Sequence, residues 1–388
     1  MPRPSLRWAI AIWTIVFVVI GTRIGLSKRV NSVYPIFSEA GRRWEAGQPL
    51  YIAPTPELDQ FRYTPIVAAA FAPWGHLSDR TGAILWLVLT ATLFVGSFIA
   101  WWRDSATAGV ALLLAIPISL GSINNGQCNA IVMAMSLIAL LTFQRERWGL
   151  AAIAVSIAVL LKIYPLALGL LLTIVEPRRF GLRFALAIVA GLALPYLLAP
   201  PDYVTDQYRA LVSRVHGDDR TVFPIVNGYR DLQMLTRVVG MPLTRPSYQI
   251  VELLVAVACA GLVAVARLQG QPREQIVWTC GALASCWMTV FGPATESSTY
   301  IILAPWLAYA CARAMERPRW WQIVAFTSYG LFTFSMALAW FPGSVRDPLQ
   351  ATGVMPLAGL LLTIVLVGEC MPRQRLIADS MNEPRRAA

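Results

Sequence analysis

A few polar groups interrupt an otherwise apolar chain, and their residue types suggest chemistry. Lys162 stands in Leu161-Lys162-Ile163-Tyr164-Pro165, inside a 28-residue apolar run. A lysine there suits an anionic group as a point charge, with Tyr164 beside it. Pro165 breaks the helix and frees backbone groups that need partners. The plain alternative is a lysine that snorkels to the interface. In Asn124-Asn125-Gly126-Gln127-Cys128-Asn129, amides gather between two apolar helices. They act either as helix–helix glue or as ligands for hydroxyls or phosphate, with Gln127 and Asn129 the candidates. Leu50-Tyr51 and Phe61-Arg62-Tyr63-Thr64-Pro65 form an aromatic rim. Such rims anchor helices at the membrane interface; alternatively this one binds a sugar or a lipid phosphate, with Arg62 as phosphate partner.

Acidic groups are scarcer. Glu296, within Gly292-Pro293-Ala294-Thr295-Glu296-Ser297-Ser298-Thr299-Tyr300, opens a helix. There an acid serves equally as cap or as catalyst. His216-Gly217-Asp218-Asp219-Arg220, with Asn227-Gly228-Tyr229-Arg230-Asp231 beyond it, holds the one adjacent acid pair, Asp218-Asp219, a cation ligand or a solvated turn. Solvated turn is the better reading, and no metal or cofactor is expected. The six cysteines lie in or beside apolar runs without a CxxC pair and read as small buried hydrophobes. No P-loop, Rossmann fingerprint or nucleophile elbow is present, which leaves nucleotide-driven pumps and serine hydrolases without support.

The elements that must position these groups follow from composition. Hydrophobic residues make up 57% of the 388, and charged ones only 14%. Soluble domains carry about 25% charged residues. The mean hydropathy of +0.58 therefore excludes both a soluble enzyme and a disordered chain. The runs are continuous rather than alternating, which argues for helices over a transmembrane barrel. The net charge of +11 comes mostly from arginines in short loops, where it sets topology; no nucleic-acid partner is implied.

The fold expected is an all-α polytopic membrane protein with about twelve transmembrane helices. The first apolar run, Trp8 to about Ile24, follows Arg3 and Arg7 and reads as a helix, because no small-residue cleavage site follows it. Residues 35–47 read as an interfacial amphipathic helix in a first outer loop, 27–62. Apolar runs follow at roughly 63–77, 81–101, 107–123, 128–143, 148–175, 180–198, 247–267, 275–291, 298–314, 319–340 and 350–370. Residues 199–246 form a second outer loop. The organisation expected is a membrane module over 1–200, that loop, and a second membrane module with cytoplasmic tail over 247–388. Arginines 373, 375, 385 and 386 place the tail inside, so the crossings must be even in number. Taking 148–175 as one broken helix gives twelve but leaves Arg145 and Arg147 outside, against the positive-inside trend. Taking it as two short helices gives thirteen, unless 63–77 is re-entrant.

In order along the chain, these segments resemble glycosyltransferase family 87 of the GT-C superfamily, which includes polyprenol-phosphate-mannose-dependent phosphatidylinositol-mannoside mannosyltransferases and related arabinosyltransferases. The resemblance rests on Ala40 with Gly47-Gln48-Pro49-Leu50-Tyr51, on Phe61-Arg62-Tyr63-Thr64-Pro65, on Gly126-Gln127-Cys128-Asn129 and on Lys162-Ile163-Tyr164-Pro165. It covers residues 30–200 well and the remainder by hydropathy. It implies an inverting, nucleotide-independent hexosyl- or pentosyltransferase. The donor would be a polyprenyl-phosphate-linked sugar, the acceptor a lipid or glycan hydroxyl. The site would face the outer side of a bacterial-type inner (plasma) membrane, in cell-envelope synthesis. Arg62, Tyr63, Gln127, Asn129, Lys162 and Tyr164 would bind the donor. A carboxylate of the first outer loop would take the acceptor proton. The family places an Asp several residues before the Ala of the amphipathic helix; here Asn31-Ser32-Val33-Tyr34-Pro35 holds no acid. Glu39 ranks first as substitute, then Asp59, then Glu296. The alternatives are a transporter or flippase for a lipid-linked sugar, which would favour paired halves with broken helices, and a non-catalytic relative.

Overall fold

The computed structural model describes residues 5–27, 30, 32–55, 58–102, 105–217 and 223–370. Asp218, Asp219 and the four tail arginines lie outside them. Every regular element among the described residues is helical. In chain order the α-helices are α1 (Leu6–Leu26), α2 (Tyr34–Glu45), α3 (Pro65–Gly75), α4 (Asp79–Trp101), α5 (Ser105–Leu114), α6 (Ile116–Asn124), α7 (Asn129–Gln144), α8 (Trp148–Leu161) and α9 (Leu166–Val175). Then come α10 (Leu182–Ala193), α11 (Pro201–Gly217), α12 (Leu232–Val238), α13 (Arg245–Leu268), α14 (Arg273–Cys286), α15 (Ala304–Ala312), α16 (Arg319–Ala337), α17 (Gly343–Gln350) and α18 (Val354–Cys370).

Among the described residues, five helical stretches are long and apolar enough to cross a membrane alone: Leu6–Leu26, Asp79–Trp101, Pro177–Leu197, Arg245–Leu268 and Arg319–Trp340. Two bent pairs raise the number to seven, α5 with α6 at 50° and α17 with α18 at 41°. Many of their side chains face outward, as lipid-facing helices require: Ile15, Val18, Leu253 and Leu254 are each about 60% exposed. Four shorter apolar helices, α3, α7, α8 and α9, are packed among these.

The short helices revise two sequence expectations. Residues 148–175 do not form one broken pass. Glu146 before α8 and Glu176 after α9 both approach Arg273, at 2.7 and 3.9 Å, while Lys162 between them lines a cavity at the other end of the body. The segment therefore runs to the cavity and back, with Lys162 to Pro165 as its turn. Arg145 and Arg147 accordingly share an end with Arg273, Arg178 and Arg179, and their conflict with the positive-inside trend disappears.

Residues 63–77 do not run through the body either. Arg80, in the first turn of α4, donates to the Ser27 carbonyl just after α1, at 2.8 Å. The chain thus leaves α1 and enters α4 at the same end. Within this excursion α3 lies against α2 through an aromatic cluster. Phe37 stacks on Phe71 with centroids 4.8 Å apart, Tyr63 packs on Phe37 at 4.8 Å, and Phe71 meets Trp86 at 4.9 Å. The apolar character of 63–77 answers this cluster rather than lipid. Close approach needs glycine: a Cβ on Gly41 would strike the Phe71 carbonyl, and one on Gly82 the Tyr34 ring. The amphipathic helix expected at 35–47 is α2.

Candidate active site

The aromatic cluster fixes residues 61–63 beside the turn that carries Lys162. Thr64 Oγ1 donates to the Leu160 carbonyl at 2.6 Å, joining the entry of α3 to the end of α8. Tyr51 Oη donates to the Tyr63 carbonyl at 2.7 Å. Between these parts opens a cavity of about 320 Å³. Its walls come from the start of α2, from 59–63, from Gln127, from 162–164, from 229–233 with the first two turns of α13, and from 293–296. Both long loops thus meet on one site.

Seven of the nine residues singled out in the sequence line this cavity: Asp59, Arg62, Tyr63, Gln127, Lys162, Tyr164 and Glu296. Arg62 joins two acids. Its Nη1 lies 3.9 Å from Glu296 Oε1 and its Nη2 3.9 Å from Asp59 Oδ1. Gln127 Nε2 donates to Glu296 Oε2 at 3.4 Å. Glu296 also accepts the Thr299 N–H in a capping box, so cap and cavity wall are the same side chain. Gln127 is buried, and among the described residues its Oε1 has no hydrogen-bond partner. That leaves an acceptor to be satisfied inside the cavity. Lys162 Nζ sits 5.9 Å from the Tyr164 ring centroid.

The other two stand elsewhere. Asn129 is fully buried behind the wall; its Oδ1 accepts from Tyr164 Oη at 2.7 Å and its Nδ2 donates to Ser298 Oγ at 3.3 Å. It fixes Tyr164 instead of facing the cavity. Glu39 is not among the lining residues. Both its oxygens are engaged, by Arg42 Nε at 3.0 Å and Arg43 Nε at 2.9 Å, one turn on along α2.

Sequence reasoning missed the opposite wall. Arg245, Tyr248, Gln249 and Glu252 line the cavity from α13, together with Tyr229, Asp231 and Gln233 from the second loop. The signal was present: 245, 248, 249 and 252 follow i, i+3, i+4, i+7, a polar stripe on the first turns of an apolar helix. Tyr229 and Asp231 stand beyond the acid pair in a loop that is polar throughout, with no such period to single them out. Burial pushes the Asp231 carboxyl up to about 7, against the opposing pull of backbone donors at 233 and 234 and of Arg237.

The chain is a multi-pass membrane protein by its apolar helices. Among solved structures, ArnT from Cupriavidus metallidurans, crystallised bound to undecaprenyl phosphate, is similar at 15% identity and a TM-score of 0.41, over 95% of this chain and 78% of that one. The profile of glycosyltransferase family 87 matches residues 61–293, more than half of the chain and most of the cavity wall. The motifs around Arg62, Gln127 and Lys162 thus lie within the matched region, and the chain belongs to glycosyltransferase family 87.

Proposed function

We propose that this glycosyltransferase moves a sugar, mannose or a pentose, from a polyprenyl-phosphate donor to an acceptor hydroxyl, with inversion. The observation that carries the reading is the make-up of one cavity: Arg62, Lys162 and Arg245 meet Asp59, Asp231, Glu252 and Glu296 at one end of an apolar helical body. Cations suit a phosphate that gains charge as it leaves, and a carboxylate suits the proton of an attacking hydroxyl. Val33, Ile36, Ile163 and Val215 supply apolar wall for a lipid chain, and Ile163 is 66% exposed. The unsatisfied Oε1 of Gln127 suits a sugar hydroxyl. The sequence holds no nucleotide-binding motif, in keeping with a lipid-linked donor.

In this reading the acceptor oxygen attacks the anomeric carbon from the face opposite the phosphate. The new C–O bond forms as the bond to phosphate breaks. The acceptor proton passes to a cavity carboxylate, and polyprenyl phosphate departs against Arg62 and Lys162. Glu39, held by two arginines outside the cavity, has a structural part; the remaining acids supply the base. The cavity is assigned to the outer side of the membrane. The short turns at the opposite end carry Arg145, Arg147, Arg178, Arg179, Arg267 and Arg273, as cytoplasmic turns do.

The test is donor binding and turnover with polyprenyl-phosphate mannose and polyprenyl-phosphate arabinose. Wild type is expected to transfer from one of them, and Arg62→Ala and Lys162→Ala to bind that donor less tightly. Equal donor affinity in wild type and both variants would refute the phosphate assignment.

A further inference from the structure

Asp231 is held in the cavity wall with unusual firmness. It follows Arg230, whose N–H donates to the Thr295 carbonyl at 2.6 Å and whose carbonyl accepts from Tyr300 Oη at 2.6 Å. The Arg230 guanidinium closes its own loop on the carbonyls of Ile225, at 3.1 Å, and Val226, at 2.6 Å. These bonds lock the second long loop onto the strip that carries Glu296, so acids from two distant parts of the chain share one wall. The Asp231 side chain is only 2% exposed yet lines the cavity. It is the N-cap of α12, accepting from the Met234 N–H at 3.3 Å.

Two of the other cavity acids, Glu296 and Asp59, are placed for different work. Glu296 is engaged by Arg62, Gln127 and the Thr299 N–H, so its oxygens already have partners. Asp59 is 63% exposed and accepts from the adjacent Gln60 N–H at 2.7 Å, so it stands at the rim in water. Resting on the lipid-linked-donor reading above, we propose that Asp231 is the catalytic residue that takes the acceptor proton.

The hydroxyl proton moves to an Asp231 oxygen as the acceptor oxygen bonds to the anomeric carbon. The electron pair of the broken bond leaves with the polyprenyl phosphate. Asp231 then returns its proton to water. A buried carboxyl titrating near neutrality is suited to this exchange. The groups around it that bear charge or titrate are Tyr248 and Glu252 on α13, Arg245 at its start, Tyr300, Arg230, and Arg237 on α12.

The rival role, a helix cap, is separable by chemistry. Asn caps as well as Asp but accepts no proton in this range. Full-length protein is purified as wild type, Asp231→Asn, Asp231→Ser and Glu252→Gln. It is assayed with polyprenyl-phosphate mannose or arabinose as donor and octyl α-mannoside as acceptor, from pH 5 to 9. Wild-type kcat is expected to rise with pH through about 7. Asp231→Asn is expected to lose roughly 10²–10⁴-fold in kcat and this rising limb, with donor affinity and melting temperature near wild type. Asp231→Ser, which also caps, gives the same loss and covers an Asn variant that fails to fold. Wild-type turnover in either variant overturns the assignment, and so does loss of the limb in Glu252→Gln with Asp231→Asn unaffected. A wild type that transfers nothing from any lipid-linked sugar overturns the donor reading, and the assignment with it.

Discussion

Arg62 and Lys162 reach one cavity from positions a hundred residues apart, Arg62 between two carboxylates and Lys162 beside the Tyr164 ring. If both face the donor phosphate, removing either loses a charge-assisted bond of about 1.5–3 kcal/mol. Lys162→Ala is expected to raise the donor Kd roughly 10–100-fold while leaving the melting temperature nearly unchanged; an unaltered Kd would place the phosphate elsewhere. Glu39→Gln should behave oppositely. It breaks part-exposed ion pairs with Arg42 and Arg43, worth up to about 1 kcal/mol, and should leave kcat near wild type. Asp231 also has a signature in stability. Its carboxyl titrates near 7 in the folded chain and near 4 when unfolded, so the folded state binds the proton more tightly. That contribution is full below about pH 4 and is lost as pH rises through about 7. The melting temperature of wild type relative to Asp231→Asn should therefore fall between pH 5 and 8. A gap independent of pH would contradict the buried, raised carboxyl. At this scale the sequence was most legible where a polar residue broke an apolar run. Lys162, Gln127 and Glu296 stood out against their neighbours, whereas Asp231 was one polar residue among many.

Among the elements, hydropathy showed where apolar helices lie but misread what two of them face. The rule of about 20 residues per crossing assumes a helix that meets lipid alone. Helices α7, α8 and α9 have 16, 14 and 10 residues, α7 enclosed by its neighbours and α8 and α9 packed along one face, so the rule merged α8 with α9 into one pass. Lys162 at their turn was the clue: a cation is easier to place at a turn beside a cavity than within a crossing. The turn makes an exposed Ile163 and an exposed Arg147 lie at opposite ends of α8. Since the six native cysteines are buried, single cysteines can be read cleanly. In intact cells a membrane-impermeant thiol reagent is expected to label Ile163→Cys and to reach Arg147→Cys only after permeabilisation. Labelling of both from outside would remove the hairpin. The packing of α2 on α3 makes a second demand. Gly41→Ala forces a methyl group against the Phe71 backbone, an overpacking worth about 1–3 kcal/mol, and should lower the melting temperature measurably. An unchanged melting temperature would mean that the contact yields freely.

Over the whole molecule, the two long outer loops hold half of the cavity's lining. The first carries Asp59 and Arg62, and the second carries Asp231 and docks on the first. Gln207 Oε1 accepts from the Leu50 N–H at 2.9 Å, and Arg214 Nη2 donates to the Ile52 carbonyl at 3.0 Å. Hydropathy marks such segments only as non-membrane, so their meeting depends on tertiary packing that no single segment encodes. The all-helical class and the cavity's first wall, with Arg62, Gln127 and Lys162, were legible; the second wall required the fold. What the assembled cavity is for is decided by one assay. Purified protein in liposomes is given polyprenyl-phosphate-linked mannose or arabinose, labelled in the sugar, with octyl α-mannoside outside. The label is expected to appear on the octyl glycoside with inverted anomeric configuration, in step with release of polyprenyl phosphate. Label that crosses the bilayer while still attached to its lipid, or that never leaves the lipid at all, would contradict a transferase of this donor class.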